Sequence, residues 1–157
     1  MSQRFSDTRE TLYSFNGETL VCCPACDGCA RSLTIDPMNK DWFAPRRLTC
    51  LRCGYSRTWA EREITRQWRE ARDDYFGLPL WLRADCCGAT LWAYNIEHLE
   101  YIERFVRADL RERVRDERQG WMNASLASRL PRWLKLAKNR QTVLHSIQQL
   151  RMRASAA

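Results

Sequence analysis

Several things are scarce in this chain, and each scarcity narrows what it can be. No apolar run approaches the roughly 20 residues that a membrane-spanning helix needs. The opening stretch, "MSQRFSDTRETLYSF", holds no hydrophobic core of signal-peptide type, which predicts a cytoplasmic protein. Histidine occurs only twice in 157 residues, at His98 and His145, too far apart for a His-Glu-x-x-His metal-hydrolase motif, and six glycines include no phosphate-cradling loop. No Ser/His/Asp arrangement stands out either, so the sequence predicts a protein that is not an enzyme. Residues 119–157 contain not one aspartate or glutamate. Against these absences stand seven tryptophans and an apolar fraction of 45%, enough for a genuine core.

Cysteine is the residue in surplus, at eight. In a reducing compartment a cysteine-rich chain points to metal rather than to a disulfide framework. The stretch "VCCPACDGCARSL" at 21–33 carries four of them and "TCLRCGYS" at 49–56 carries two. Cys50-Leu51-Arg52-Cys53-Gly54 has the form of a zinc knuckle: two intervening residues let both sulfurs face one way, and Gly54 can take the left-handed conformation that closes the turn. In the first cluster two pairs have this spacing, Cys23–Cys26 and Cys26–Cys29. Pro24 pre-sets a turn inside the first, which makes Cys23, Cys26, Cys50 and Cys53 the expected ligands of one structural Zn²⁺; Cys26–Cys29 stays open as the alternative. Four thiolates around zinc leave no position for a reacting water. A redox dithiol fits less well, because such sites use a single Cys-x-x-Cys at a helix start. Cys22 and Cys29 read as small core residues.

Short Thr-, Leu- and Ile-rich segments surround the knuckles as small strands do. "TLYSF" and "ETLVC" flank Asn16-Gly17, a hairpin signal. "ARSLTI", "RRLTC" and "YSRTWAE" supply further strands, and a polar loop, "DPMNKDWFAPRR", separates the two knuckles. This order resembles the zinc ribbon of transcription-factor-IIB type over roughly residues 19–60.

Farther on, residues 80–85 and 89–94 read as a second strand pair around Cys86-Cys87-Gly88, with Trp81 and Trp92 on the buried face. Cys86 and Cys87 read as buried thiols at a tight turn, since adjacent cysteines can hardly both reach one tetrahedral ion, with or without His98. Asn95 is a good N-cap, and Leu99, Ile102, Val106, Leu110 and Val114 recur at helical steps, predicting a helix to about Gln119 that stops at Gly120. His98, in its first turn, reads as a capping or surface residue. The remainder divides into short helices at Pro131 and "AKNRQ", ending in an amphipathic helix with Val143, Leu144, Ile147 and Leu150 inward and a frayed "RASAA".

The predicted fold class is α+β: a zinc-ribbon antiparallel β module over residues 1–60, then a β-hairpin and a C-terminal helical layer over 61–157, packed as one compact unit. The net charge of +7 resides in the last 39 residues, since residues 1–60 carry +2 and 61–118 carry −2. Arg129, Arg132, Lys135, Lys138 and Arg140 are therefore the candidate nucleic-acid contacts, held to phosphates by salt-sensitive, sequence-blind attraction. The competing expectation is a protein–protein adaptor, for which the Trp-rich middle of the chain supplies anchors. One exposed stripe of cations would favour the first; cations scattered, or paired with the Glu-rich face of the central helix, would favour the second. No small-molecule substrate is evident.

The strings "LWAYNIEHLEYIE" and "LPRWLKLAKNR", with the knuckles, resemble a bacterial family of small transcription-factor-IIB-type zinc-ribbon-containing proteins, over roughly residues 20–150. The resemblance implies a bacterial cytosolic zinc protein with Cys23, Cys26, Cys50 and Cys53 at the knuckle positions. It carries no catalytic residue, and a ribbon does not by itself establish a role in transcription.

Overall fold

The computed structural model describes residues 3–61, 71–112 and 125–157. The fold is α+β. Strand β1 (Arg4–Ser6) is followed by a short 3-10 turn at Leu12–Phe15, then β2 (Glu18–Cys22), β3 (Cys29–Thr34), β4 (Arg46–Thr49) and β5 (Ser56–Trp59). These last four form one antiparallel sheet in the order β2-β3-β4-β5. Each knuckle is the turn of a hairpin, the first joining β2 to β3 and the second β4 to β5. Inward positions alternate with exposed ones, as a half-buried sheet requires: Val21, Ala30, Ser32 and Leu48 are buried while Arg31, Leu33 and Arg47 face out.

The Asn16-Gly17 hairpin does not form. A two-residue hairpin turn needs positive φ at its central residues, whereas Asn16 sits at φ −84° and the preceding residues coil into the 3-10 turn. That turn is held by tertiary packing: Phe15 is buried, stacked on His98 at 5.0 Å and tilted against Tyr101 at 5.5 Å. The partner of β2 is instead β3.

A second hairpin, β6 (Leu82–Cys86) and β7 (Ala89–Ala93), turns through Cys87 and Gly88, both at positive φ. Its flanks stitch it to the ribbon. Leu20 N–H donates to Tyr94 O (2.8 Å), Trp81 N–H to Leu20 O (3.0 Å) and Cys22 N–H to Pro79 O (2.8 Å), so the β2 edge is covered. Helix α1 (Ile96–Arg107) follows. Asn95 caps it, its Oδ1 accepting from His98 N–H at 2.9 Å, while its Nδ2 donates to Phe15 O and Glu18 O at 2.8 Å each. One side chain thus ties the helix start to the N-terminal turn and to β2.

The expected helix to Gln119 stops twelve residues early. Ala108 is extended, and Leu110–Glu112 form β8, which pairs in parallel with β1 in a two-stranded sheet. The apolar period continues through Leu110, but the backbone offered by β1 is a long-range partner that periodicity cannot register. Arg111 completes the junction: its guanidinium lies 4.3 Å from the Phe105 ring centroid and donates to Phe105 O and Lys135 O, closing exposed carbonyls at the ends of two helices. Val114, Gln119 and Gly120 lie outside the described residues.

The C-terminal layer comprises α2 (Leu126–Arg129), α3 (Arg132–Lys135), a 3-10 turn at Ala137–Asn139 and α4 (Arg140–Ser155). Ser125 caps α2, and Pro131 sits at the N-cap of α3. Val143, Ile147 and Leu150 are buried, with Leu144 partly so. Helix α4 packs on α1 and β6 and continues through Ser155, so "RASAA" is largely helical rather than frayed. Trp81 and Trp92 are half-buried, packed against the core. Among the described residues, no helix is long and apolar enough to cross a membrane.

Candidate metal centre

The two knuckles close by the same hydrogen bonds. In the first, Cys23 N–H donates to Gly28 O (2.7 Å) and Asp27 N–H to Cys23 O (3.0 Å); in the second, Cys50 N–H donates to Tyr55 O (2.9 Å) and Gly54 N–H to Cys50 O (2.9 Å). The left-handed residue is Gly54 in one (φ +78°) and Asp27 in the other (φ +58°). Aspartate is among the few side chains that enter this region at modest cost. Gly28 serves a different need. A Cβ there would stand 2.9 Å from Arg52 Cδ and 3.2 Å from Cys26 Sγ, so its bare backbone lets the second knuckle lie across the first.

That apposition brings the sulfurs of Cys23, Cys26, Cys50 and Cys53 within 4.8 Å of one another. Cys23 and Cys53 are 3.6 Å apart, Cys26 and Cys50 3.7 Å. Four thiolates at the zinc–sulfur bond length of about 2.3 Å, set on a tetrahedron, are separated by about 3.8 Å. The residues present fit such an ion. The backbone assists the sulfurs: Ala25 N–H points at Cys23 Sγ (3.4 Å), and the Cys50 thiol is drawn down to about 7, chiefly by the Cys53 N–H, against the opposing effect of burial. Cys23 and Cys50 are buried, whereas Cys53 is exposed on the outer knuckle.

The other cysteines lie elsewhere. Cys29 is the directly opposed β-sheet partner of Cys22, on the strands leaving the first knuckle, and burial pushes its thiol up to about 11. It accepts Cys50 Sγ through its carbonyl (3.7 Å), not through its sulfur. Neither it nor Cys22 belongs to the four-sulfur group, and of the second hairpin's pair Cys86 ends β6 and is buried as expected, whereas Cys87, in the turn, is exposed. His98 is neither a surface residue nor only part of the cap. It is buried, its Nδ1 accepts from Tyr94 N–H at 3.1 Å, and burial lowers its pKa to about 3.

Several of the C-terminal cations are engaged with other parts of the chain. Arg140 donates to Asp109 Oδ1 (2.7 Å) and to Ala108 O (3.3 Å), just past the end of α1. Arg151 pairs with Glu103 on α1, which also accepts from Arg107 one turn along. Arg153 lies 4.0 Å from the Trp81 ring centroid, and Lys135 Nζ donates to Ser128 O (3.0 Å). Arg129, Arg132 and Lys138 are exposed on three successive short turns. Much of the apparent excess charge thus fastens the helical layer to the rest of the chain. The sequence offered pairing with the Glu-rich face of the central helix as one outcome but did not say which cations pair, because the acids that meet Arg140 and Arg151 lie some 30 to 50 residues away.

Comparison with known proteins supplies no further guide: no protein-family model, curated protein or solved structure matches the chain.

Proposed function

We propose that the chain is a non-enzymatic zinc protein whose metal-stapled ribbon serves as a docking module for a protein partner. The four-sulfur group carries the zinc reading, since its spacing suits a closed tetrahedral site of the structural type. Membership of the bacterial zinc-ribbon-containing family belongs to the same proposal and rests on the sequence strings alone. The placement of the cations supports the adaptor over the nucleic-acid reading, because Arg140 and Arg151 are engaged with acids at the end of α1 and on it. Apolar side chains exposed on the ribbon add to this: Met38 and Leu51 are each 84% exposed, with Ile35 and Phe43 near half. Such side chains on a rigid module are what a partner would cover.

The test has two parts. Elemental analysis of purified protein should return one zinc per chain; none would remove the basis of the proposal. The partner recovered from nuclease-treated extract should be lost on Ile35→Asp/Phe43→Asp and kept by Arg132→Glu/Lys138→Glu. The opposite pattern, with binding to DNA or RNA that weakens steeply between two salt concentrations, would establish the nucleic-acid reading, which the exposed Arg129, Arg132 and Lys138 favour.

A further inference from the structure

The metal centre leaves four cysteines unused, and two of them are adjacent. Cys86 ends β6 and Cys87 opens the turn to β7, with Cys86 opposite Ala89 in the register. Their sulfurs stand 3.6 Å apart, Cys86 in the core at 4% exposure and Cys87 open to solvent. Neighbouring strand residues ordinarily point to opposite faces. Here the turn overrides that: Cys87 at φ +55° and Gly88 at φ +74° make a tight two-residue hairpin turn that swings the Cys87 side chain back beside Cys86. Asparagine, aspartate and glycine are the residues suited to the first position of such a turn. Cysteine accepts strain there and brings only its thiol.

We propose that Cys86 and Cys87 form a two-thiolate chelating site for a trivalent thiophilic centre of the arsenic(III) type. Soft thiolates select soft ions, and the bite of the pair selects among them. A linear two-coordinate ion needs sulfurs on opposite sides, about 4.6 Å apart at a bond of about 2.3 Å, well beyond the observed separation. Bonds of that length across 3.6 Å subtend an angle of roughly 100°, so, contrary to the expectation for adjacent cysteines, the pair can meet one pyramidal or tetrahedral centre. A tetrahedral zinc ion would call for further protein donors, and among the described residues only the ribbon cysteines gather three or more metal-ligating groups. A pyramidal centre is satisfied by two thiolates and one group of its own. A disulfide is the poorer product, because adjacent Cα atoms lie 3.8 Å apart, short of the usual 4.4–6.8 Å span.

The reaction involves no electron transfer. An arsonous acid, R–As(OH)₂, exchanges its two hydroxyls for the two sulfurs. Each thiol proton leaves with one hydroxide as water, giving R–As(S–Cys86)(S–Cys87) and two waters. Exposed Cys87 makes the first bond, and Cys86 closes the ring.

Phenylarsine oxide is the probe, added at one equivalent to the zinc-loaded full-length protein. The expected result is one phenylarsenic adduct by intact mass, with zinc retained and peptide mapping placing the adduct on residues 86–87. It should survive excess monothiol and be stripped by a dithiol. Cys87→Asn suits the turn and keeps the fold, and should weaken binding by at least about a hundredfold, the usual cost of losing the second point of attachment. An adduct on Cys22, Cys29 or the ribbon, release of zinc, unchanged binding by Cys87→Asn, or a disulfide between residues 86 and 87 in place of the adduct would each overturn the proposal.

Discussion

Replacing the knuckle cysteines one at a time separates the proposed ligand set from its neighbours. Structural zinc in a thiolate site of this kind contributes about 10–16 kcal/mol at neutral pH, so one ligand of four carries on the order of 3–4 kcal/mol, a factor of roughly 10²–10³ in affinity. Cys26→Ser and Cys53→Ser should each show that loss. Both sulfurs lie in the four-membered group, at 3.7 Å from Cys50 and 3.6 Å from Cys23 respectively. Cys29→Ser, three residues beyond Cys26, should leave affinity within a few-fold, since that side chain lies outside the group and only its carbonyl approaches Cys50. Competition against a fluorescent zinc chelator at fixed pH measures all three. A Cys29 variant as weak as the Cys26 variant, or a Cys53 variant that holds zinc like the parent chain, would refute the pairing of the knuckles described above.

Asn95→Ala removes a helix cap and both bonds from the side-chain amide to Phe15 O and Glu18 O, and should cost about 3 kcal/mol in urea unfolding; a cost below about 1 kcal/mol would mean that the amide bonds contribute nothing. Arg46 is 1% exposed and spends its guanidinium on Ser32 Oγ, Ser32 O, Asn16 O and Gly17 O, above the Tyr75 ring. Lysine cannot reproduce that fork, so Arg46→Lys should also cost about 3 kcal/mol, whereas a near-neutral effect would show the site to be plastic. For His98, burial depresses the folded-state pKa to about 3, below the unfolded value near 6.5. Between those two values the unfolded chain binds the extra proton, so its contribution to stability is full above about pH 6.5 and falls by up to about 1.4 kcal/mol per pH unit on acidification. His98→Gln should flatten that limb relative to the parent chain, and parallel curves would show that His98 is not buried in its neutral form.

The sequence alone settled what is local. Two Cys-x-x-Cys turns, the strand-like segments around them, the N-cap at Asn95 and the buried period of the last helix are each written within a few residues, because spacing and turn chemistry act at that range. Pro24 favoured Cys23–Cys26 over Cys26–Cys29 but left the choice open, and the apposition of the two knuckles decided it. Tertiary structure decided wherever two distant segments compete for one stretch of backbone or one charge. The 3-10 turn replaced a hairpin because Phe15 is buried against α1, and Leu110–Glu112 became strand rather than helix because β1 supplied a ladder. In the basic tail, only the folded chain showed that Arg140 and Arg151 meet Asp109 and Glu103. Local propensities differ by less than a kilocalorie per residue, and a long-range partner outweighs them once the chain has folded far enough to present it.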